Sequence, residues 1–130
     1  MHRKTVLVVD DDASSRFVLS KAVEGLGFRA VIVEDGIDVP ELVAKEHFDL
    51  LVLDLYMPGM NGYEVLRRIR QPHGGVLPVW KTQPTVGIVV LSGVAGRDGL
   101  TFAAKLGADA CLQKPFDITD VLAAVRAIRR

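Results

Sequence analysis

Five short apolar runs recur along the chain and divide it into similar units. They occupy residues 5–9, 30–33, 50–53, 86–91 and 110–112. The runs are continuous and mostly rich in valine, leucine and isoleucine, without the alternation of apolar and polar side chains that a half-exposed strand shows. Continuous runs of this length are typical of parallel strands that are buried on both faces. The pattern therefore predicts five parallel β-strands.

Segments with the apolar spacing of helices lie between these runs and after the last one. They span residues 14–26, 39–46, 61–70 and 98–106, with a terminal helix that begins at residue 118. In the terminal segment the apolar residues follow the i, i+3, i+4, i+7 spacing of one helix face. Gly27 suits the position after the first helix, and Asp117, with Asp120 three residues on, suits the cap before the last one. Five helices are therefore predicted, one after each strand.

Strands that alternate with helices predict an α/β fold, in which helices cover both faces of a parallel sheet and the crossovers are right-handed. For five strands we expect the flavodoxin-like (βα)5 doubly wound arrangement, with the strand order 2-1-3-4-5. A chain of 130 residues with 49% hydrophobic content can bury one sizeable core, so residues 1–130 are predicted to form a single domain. Ligands of such sheets bind beyond the carboxyl ends of strands 1 and 3, where the strand order reverses.

Acidic side chains lie at both of these strand ends. Asp10, Asp11 and Asp12 follow the first strand, and Asp54 ends the third. Carboxylates that share one crevice raise each other's pKa unless a cation neutralises them. Mg²⁺ suits such a site because it prefers oxygen ligands and commonly uses one or two protein carboxylates together with phosphate oxygens. We therefore predict a Mg²⁺ site that includes Asp10 and Asp11, whereas Asp12 suits either the metal or the cap of the first helix.

Asp54 has the features of a nucleophile. Residues 57–59, Met-Pro-Gly, favour a turn that holds the following loop away and leaves the Asp54 carboxylate exposed above the sheet. Beside a bound metal ion, such a carboxylate can accept a phosphoryl group as an aspartyl phosphate. The hydroxyl of Ser92 closes the fourth strand and the ammonium of Lys114 follows the fifth. Both are therefore expected to face the same crevice.

The stretches VVDDD, DLYMPG, VVLSG and LQKPF, in this order, resemble the receiver domain of response regulators in two-component signal transduction, of the chemotaxis-regulator type. The resemblance covers nearly the whole chain. It implies that Asp10 and Asp11 are the acidic pair of the Mg²⁺ site and that Asp54 is the phosphorylated residue. It also implies that the backbone carbonyl of Tyr56 is a further metal ligand.

The same resemblance implies roles for the other two strand ends, and it implies partners. Ser92 would be the switch hydroxyl that reaches a phosphoryl oxygen, and Lys114 would pair with the phosphoryl group. The phosphoryl donor would be a histidine kinase or a histidine phosphotransfer protein. The switched surface would comprise the fourth and fifth helices and the fifth strand, about residues 98–130. It would act on an output domain, a downstream protein or a second copy in a phosphorylation-dependent dimer, so we expect a signalling domain and not an enzyme.

Three features depart from the family pattern. Cys111 lies on strand 5 where receiver domains usually carry an aromatic switch residue, and we expect it to be a small, buried apolar side chain. Tyr56 and Val94 lack the carboxylate or amide that would orient a hydrolytic water, so slow self-dephosphorylation is predicted. The connection at residues 71–85 is longer than usual. Its Trp80 either covers apolar surface at the base of the sheet or belongs to a partner-binding loop.

Two other functions would use the same residues. A receiver-like module can serve binding or dimerisation alone, without phosphorylation, although the complete set of strand-end side chains favours a working site. An aspartate-nucleophile phosphatase of the haloacid dehalogenase type also places an aspartate after a strand, beside Mg²⁺. That class would need a second aspartate two residues on, where this chain has Tyr56.

Composition and charge indicate which kinds of partner and which cellular compartment to expect. Sixteen basic residues balance sixteen acidic ones, and no long basic run occurs, so neither nucleic acid nor an anionic membrane is expected as a direct partner. The single cysteine fits a reducing compartment, the first residues do not resemble a signal peptide, and no apolar run is long enough to span a bilayer. We therefore expect a cytoplasmic protein.

Overall fold

The structure, a computed structural model, describes residues 4–36, 39–56, 62–70, 81–93, 101 and 103–128. Its strands are β1 Thr5–Val9, β2 Arg29–Val33, β3 Leu50–Asp54, β4 Gly87–Ser92 and β5 Ala110–Gln113. Its longer helices are α1 Ala13–Gly25, α2 Val39–Lys45, α3 Gly62–Arg70 and the C-terminal helix Ile118–Ile128. The boundaries of these elements agree with those predicted from the sequence to within one residue where both are given.

The helix predicted at residues 98–106 is described only in part. Residues 101 and 103–105 are helical and residue 106 lies in a turn, whereas residues 98–100 and 102 lie outside the described residues. None of the helices in the described part of the chain has both the length and the apolar character that crossing a membrane requires.

All five strands are parallel and lie in the order β2-β1-β3-β4-β5. The predicted order is therefore confirmed, with the reversal between β1 and β3. Asp54 at the end of β3 pairs with Leu91, and Ser92 at the end of β4 pairs with Gln113. The carboxyl ends of the central strands thus lie along one edge of the sheet.

Apolar side chains cover both faces of the sheet in two layers. On β1, Val6 and Val8 point to the face that α1 and the C-terminal helix cover, whereas Leu7 and Val9 point to the face that α2 and α3 cover. Strand β1 is buried from Val6 onward and β3 along its whole length, while the edge strands β2 and β5 are partly exposed. The continuous apolar runs therefore reflect burial on both faces of the central strands.

Helix ends follow the predicted caps. The Asp120 N–H donates to Asp117 Oδ1 at 2.9 Å, and the Asp117 N–H donates to Asp120 Oδ2 at 3.0 Å, so the two residues cap the C-terminal helix reciprocally. Gly27 follows α1 with a φ of +88°, a left-handed conformation that glycine adopts at little cost. These two predicted helix ends are confirmed.

The long connection before β4 is described only at its end. Residues 71–80, including Trp80, lie outside the described residues, so both interpretations of Trp80 stay predictions. Thr82 is buried, its N–H donates to the Val43 carbonyl at 3.0 Å, and its hydroxyl donates to the Glu46 carbonyl at 2.6 Å. The last part of the connection therefore packs against α2 and the residue that follows it.

Arg70, the last residue of α3, forms hydrogen bonds at the edge of the sheet where the amino-terminal ends of the strands lie. This edge is opposite the strand ends that carry the acidic side chains. Its guanidinium donates to the carbonyls of Gly107, Pro84 and Val86 at 2.6–3.0 Å. It also donates to an Asp109 carboxylate oxygen at 2.9 Å. We call these five residues the Arg70 network. One side chain thereby joins α3 to the segments that lead into β4 and β5.

Candidate functional site

Four side chains predicted from the sequence lie at the carboxyl ends of the strands. Asp10 directly follows β1, Asp54 ends β3, Ser92 ends β4 and Lys114 directly follows β5. Asp10, Asp54 and Ser92 are each at most 3% exposed. The four side chains that were predicted to share a crevice therefore lie at one edge of the sheet, and Asp10 and Asp54 lie where the strand order reverses.

The Lys114 ammonium joins two of these carboxylates. Its Nζ donates to Asp54 Oδ2 at 2.9 Å and to Asp10 Oδ1 at 3.1 Å. Burial lowers the pKa of Lys114, but the hydrogen bonds and charges of Asp54 and Asp10 outweigh that effect and raise the pKa above its usual value. Lys114 therefore carries a positive charge at neutral pH.

The Asp54 carboxylate is buried, whereas turn chemistry predicted that it would be exposed above the sheet. Besides its bond with Lys114, Asp54 accepts the Tyr56 N–H on Oδ1 at 3.1 Å. The expectation of an exposed carboxylate was wrong because the Lys114 side chain and the backbone at Tyr56 both lie against it. Local turn preferences do not predict these contacts. The turn residues 57–59 themselves lie outside the described residues.

Asp10, Asp11 and Asp54 form the acidic cluster of the site. One carboxylate oxygen of each lies within 4.8 Å of the others. Asp10 is fully buried, and this burial raises its pKa. Its Oδ2 lies 3.1 Å from Lys114 Nζ but forms no hydrogen bond with any described residue. A hard divalent cation would be a partner for this buried oxygen, so the donor set of the acidic cluster fits Mg²⁺.

Asp12 caps α1 and is not part of the acidic cluster. Its carboxylate accepts the Ser15 hydroxyl at 2.8 Å, the Ser15 N–H at 3.3 Å and the Ser14 N–H at 3.4 Å. These hydrogen bonds, above all that of the Ser15 hydroxyl, lower the pKa of Asp12. Of the two interpretations that the sequence left open for Asp12, the structure supports the helix cap.

Ser92 lies at the edge of the sheet where the switch hydroxyl is predicted. Its carbonyl accepts the Lys114 N–H at 2.8 Å, and the carbonyl of the preceding Leu91 accepts the Leu55 N–H at 3.0 Å. The backbone at the end of β4 therefore holds the residues that follow β3 and β5 in register. The role of the Ser92 hydroxyl toward a phosphoryl oxygen stays a prediction, as does the role of the Tyr56 carbonyl toward a metal.

Cys111 lies on β5 and is half-buried, less than the sequence analysis expected. Burial raises the pKa of its thiol, so the thiol is protonated at neutral pH. Cys111 packs against the same apolar layer as Tyr63 of α3. This environment agrees with a small apolar side chain at that position.

Gly62 belongs to the site although its sequence context gave no sign of it. It begins α3, and its N–H donates to the Leu55 carbonyl at 2.7 Å. A Cβ at this position would collide with the Leu55 Cα and lie 2.5 Å from the Asp54 carbonyl oxygen. Glycine is therefore required for α3 to begin this close to the end of β3.

The variant Gly62→Ala is expected to destabilise the fold by roughly 1–3 kcal/mol, because the added methyl group meets backbone atoms that cannot move aside without displacing Asp54. Urea unfolding followed by circular dichroism measures this change. Gly25→Ala is the matched control, since a Cβ at Gly25 meets nothing within 4 Å, and there we expect a gain of up to about 1 kcal/mol. Equal stability changes in both variants would show that the close approach of α3 is not required.

Comparison with known proteins links these features to one family. A family model described as "Response regulator receiver domain" matches residues 6–126. The DNA-binding transcriptional regulator NtrC of Escherichia coli (strain K12) is 37% identical over 129 residues, which cover 98% of this chain and 25% of NtrC. The DNA-binding response regulator MtrA of Mycobacterium tuberculosis (strain CDC 1551 / Oshkosh) is 35% identical over 125 residues, which cover 96% of this chain and 50% of MtrA.

A solved structure gives a similar result. A response regulator protein from Burkholderia pseudomallei, described as containing a phosphorylated aspartic acid, a calcium ion and citrate, superposes with a TM-score of 0.76. It is 26% identical, and the match covers 93% of this chain and 65% of that one. The chain thus spans a quarter to a half of the curated relatives above. Both relatives are named as DNA-binding, so they do not support the expectation that nucleic acid is not a partner.

Proposed function

The chain belongs to the response regulator receiver domain family, and we propose on this premise that it accepts a phosphoryl group on Asp54 with the help of Mg²⁺. The observation that carries the proposal is the setting of the Asp54 carboxylate, which lies in the acidic cluster and accepts a hydrogen bond from Lys114. A carboxylate nucleophile, a metal-binding acidic pair and a fixed cation are the parts that this transfer requires. The phosphorylated aspartic acid described for the Burkholderia pseudomallei protein is further support.

In the proposed transfer, an Asp54 carboxylate oxygen attacks the phosphorus of a phosphohistidine on a donor protein. A bond forms between that oxygen and phosphorus, the phosphorus–nitrogen bond breaks, and the donor imidazole leaves with the electron pair. Asp10, Asp11 and Asp54 would hold the metal ion, with the Tyr56 carbonyl as a further ligand. When bound, Mg²⁺ supplies positive charge that offsets the charge on the phosphoryl oxygens.

Lys114 would stabilise the charge of the transferred group. Its Nζ already lies 2.9 Å from Asp54 Oδ2, so it would need to move little to reach an oxygen of a phosphoryl group that is transferred to Asp54. Its raised pKa keeps the ammonium protonated. The same cation can therefore pair with the carboxylate before the transfer and with a phosphoryl oxygen after it.

The phosphoryl group would then act as an electrostatic switch. It adds about −1.5 to −2 charges at neutral pH and several strong acceptor oxygens. Ser92 lies at the end of the neighbouring strand and follows Leu91, which pairs with Asp54, and this position supports the proposal that its hydroxyl would respond. A shift there would bias the surface of about residues 98–130 between two packed arrangements.

The proposed function requires a phosphoryl donor and a target for the switched surface. The donor would be a histidine kinase or a histidine phosphotransfer protein, and the receiver surface would act on an output domain, a downstream protein or a second phosphorylated copy. In this scheme the chain promotes its own phosphorylation and dephosphorylation but is a signalling domain and not an enzyme with an external substrate. The phosphatase alternative is disfavoured by Tyr56, which stands where that class needs an aspartate.

Incubation with acetyl phosphate and Mg²⁺ tests this function without a partner protein. We expect the intact mass to increase by one phosphoryl group. Because an aspartyl phosphate is an acyl phosphate, hydroxylamine should release the group as inorganic phosphate and leave a hydroxamate on the aspartate. Chelation of Mg²⁺ by EDTA should reduce the yield to background. An unchanged mass in the folded protein would instead support a module for binding or dimerisation alone. Full labelling in the presence of EDTA would show that the transfer does not require a metal ion.

A further inference from the structure

Arg16, in the first turn of α1, contacts the backbone of a residue that belongs to the acidic cluster. Its Nη1 donates to the Asp10 carbonyl at 3.1 Å, and its Nη2 pairs with Glu34 Oε1 at 3.4 Å. The Arg16 side chain is 21% exposed, whereas that of Glu34 is 74% exposed. The guanidinium therefore links the residue that follows β1 to the residue that follows β2.

The Asp10 carbonyl lies beyond the paired part of the sheet. The last residue of β1, Val9, pairs with Val33 of β2 and with Leu53 of β3. The Asp10 N–H still donates to the Val33 carbonyl at 3.2 Å, but β2 ends at that residue. Since a backbone carbonyl at the end of a buried strand needs a hydrogen-bond donor, Arg16 supplies the bond that a longer strand would otherwise provide.

The position of the Asp10 backbone determines where the Asp10 carboxylate lies. Asp10 is fully buried, and its Oδ1 accepts the Lys114 ammonium at 3.1 Å and the Asp12 N–H at 2.9 Å. A side chain in such a closely packed setting cannot change rotamer freely to compensate for a movement of its backbone. A shift of the Asp10 backbone would therefore displace its carboxylate, and with it the exposed Asp11 that follows.

We propose that Arg16 is a positioning residue, which holds the backbone of Asp10 so that the carboxylates of Asp10 and Asp11 meet the same metal ion as Asp54. This inference rests on the proposed function, in which the acidic cluster binds Mg²⁺. Groups that fix the ligands of a metal ion contribute to its affinity without touching the ion. The effect of Arg16 is therefore on the binding of Mg²⁺ and not on the phosphoryl transfer itself.

The charge of Arg16 alone would have the opposite effect. A guanidinium near a site for a divalent cation repels that cation, so its removal would tighten the binding of Mg²⁺. If Arg16 instead positions Asp10, its removal weakens the binding of Mg²⁺ although a positive charge has been lost. The direction of the change in the Mg²⁺ dissociation constant therefore distinguishes the two roles.

Titration of the ¹⁵N-labelled chain with MgCl₂, followed by the NMR signals of the backbone amides, measures this constant without a phosphoryl donor. Loss of a hydrogen-bond partner of a ligating group typically weakens metal binding by roughly 10- to 100-fold. Arg16 holds the backbone of the ligand and not its carboxylate, so we expect Arg16→Met to raise the dissociation constant by less, roughly three- to tenfold. An unchanged or lower constant would overturn the inference.

Arg29→Met is the matched control for the loss of charge. Arg29 is an exposed residue at the first position of β2, the end opposite to Glu34. The substitution removes the same charge and the same side chain as Arg16→Met, but without a contact to Asp10. We expect its Mg²⁺ dissociation constant to equal that of the wild type. An equal rise in both variants would show that the contact of Arg16 with the Asp10 carbonyl is not the cause.

Arg16→Lys keeps the positive charge, and it replaces Arg16→Met if that variant does not fold. A single ammonium does not reproduce the forked contacts of the guanidinium with Asp10 and Glu34. We expect a Mg²⁺ dissociation constant about twofold above that of the wild type. A constant equal to that of the wild type would contradict the positioning role, because the charge would then be sufficient.

Labelling with acetyl phosphate separates positioning from a general loss of structure. Arg16→Met should need a higher Mg²⁺ concentration for half-maximal labelling, yet reach the wild-type rate when Mg²⁺ is saturating. A reduced rate at saturating Mg²⁺ together with an unchanged half-maximal concentration would count against the inference. If the wild type itself bound no Mg²⁺ or accepted no phosphoryl group, the proposed function would fail, and the inference with it.

Discussion

Replacement of Asp54 by asparagine is expected to abolish the uptake of a phosphoryl group from acetyl phosphate. An amide has nearly the same shape as the carboxylate but is not a nucleophile at neutral pH, and it removes one negative charge from the acidic cluster. The single carbonyl oxygen of asparagine can accept only one of the two hydrogen bonds that the Asp54 carboxylate accepts from Lys114 and from the Tyr56 N–H. The apolar contacts of β3 are unchanged, so the fold should persist with some loss of stability, and the intact mass should remain that of the unmodified protein.

Asp12→Asn is the matched control for the loss of phosphoryl uptake in Asp54→Asn. Asp12 lies two residues after Asp10 and carries the same carboxylate, but it caps α1 and is not in the acidic cluster. Its replacement by asparagine, another good N-cap residue, should leave the phosphoryl uptake intact. If the mass increase persisted in Asp54→Asn, the acceptor would have to be another residue, and the assignment of Asp54 would fail.

The variant Arg70→Met is expected to cost roughly 3 kcal/mol of the free energy of unfolding. Arg70 is 16% exposed and satisfies three carbonyls and the Asp109 carboxylate. Methionine fills a similar volume but leaves these acceptors without their donor, and partly buried acceptors that lose a partner are costly. Urea unfolding measures the change as a lower midpoint with an unchanged slope.

Arg67→Met provides the control on the same helix. Arg67 is 53% exposed and pairs with Glu64 three residues away, and exposed pairs of this kind contribute less than about 1 kcal/mol. The two arginines carry the same charge and the same side chain, so the difference between the variants isolates the Arg70 network. Equal midpoints for Arg67→Met and Arg70→Met would contradict the structural role of that network.

The sequence predicted the sheet well because each strand is specified locally. A continuous apolar run indicates a strand that is buried on both faces. The residue at the end of the run, or directly after it, therefore lies at the edge of the sheet formed by the carboxyl ends of the strands. Asp10, Asp54, Ser92 and Lys114 could therefore be assigned to one edge without any knowledge of their contacts. The strand order followed from the alternation of strands and helices.

The remaining features depend on neighbours that are distant in the sequence. Arg70 stands in the segment RRIR beside Arg67 and Arg68, and nothing in the pattern distinguishes the residue with four partners from the two that pair with Glu64. The requirement for glycine at position 62 arises from the close approach of two backbones. These properties are set by packing, which periodicity and motif spacing do not encode.

The two ion pairs of Lys114 connect parts of the chain that are far apart. Asp54 lies 60 residues before Lys114, and Asp10 lies 104 residues before it. Closing loops of this length carries an entropic cost, and contacts of long sequence separation slow folding. A chain in which the last strand has not yet docked would contain Asp54 but lack the cation beside it. Under the proposed function, acceptance of a phosphoryl group on Asp54 would therefore require the last strand to be docked.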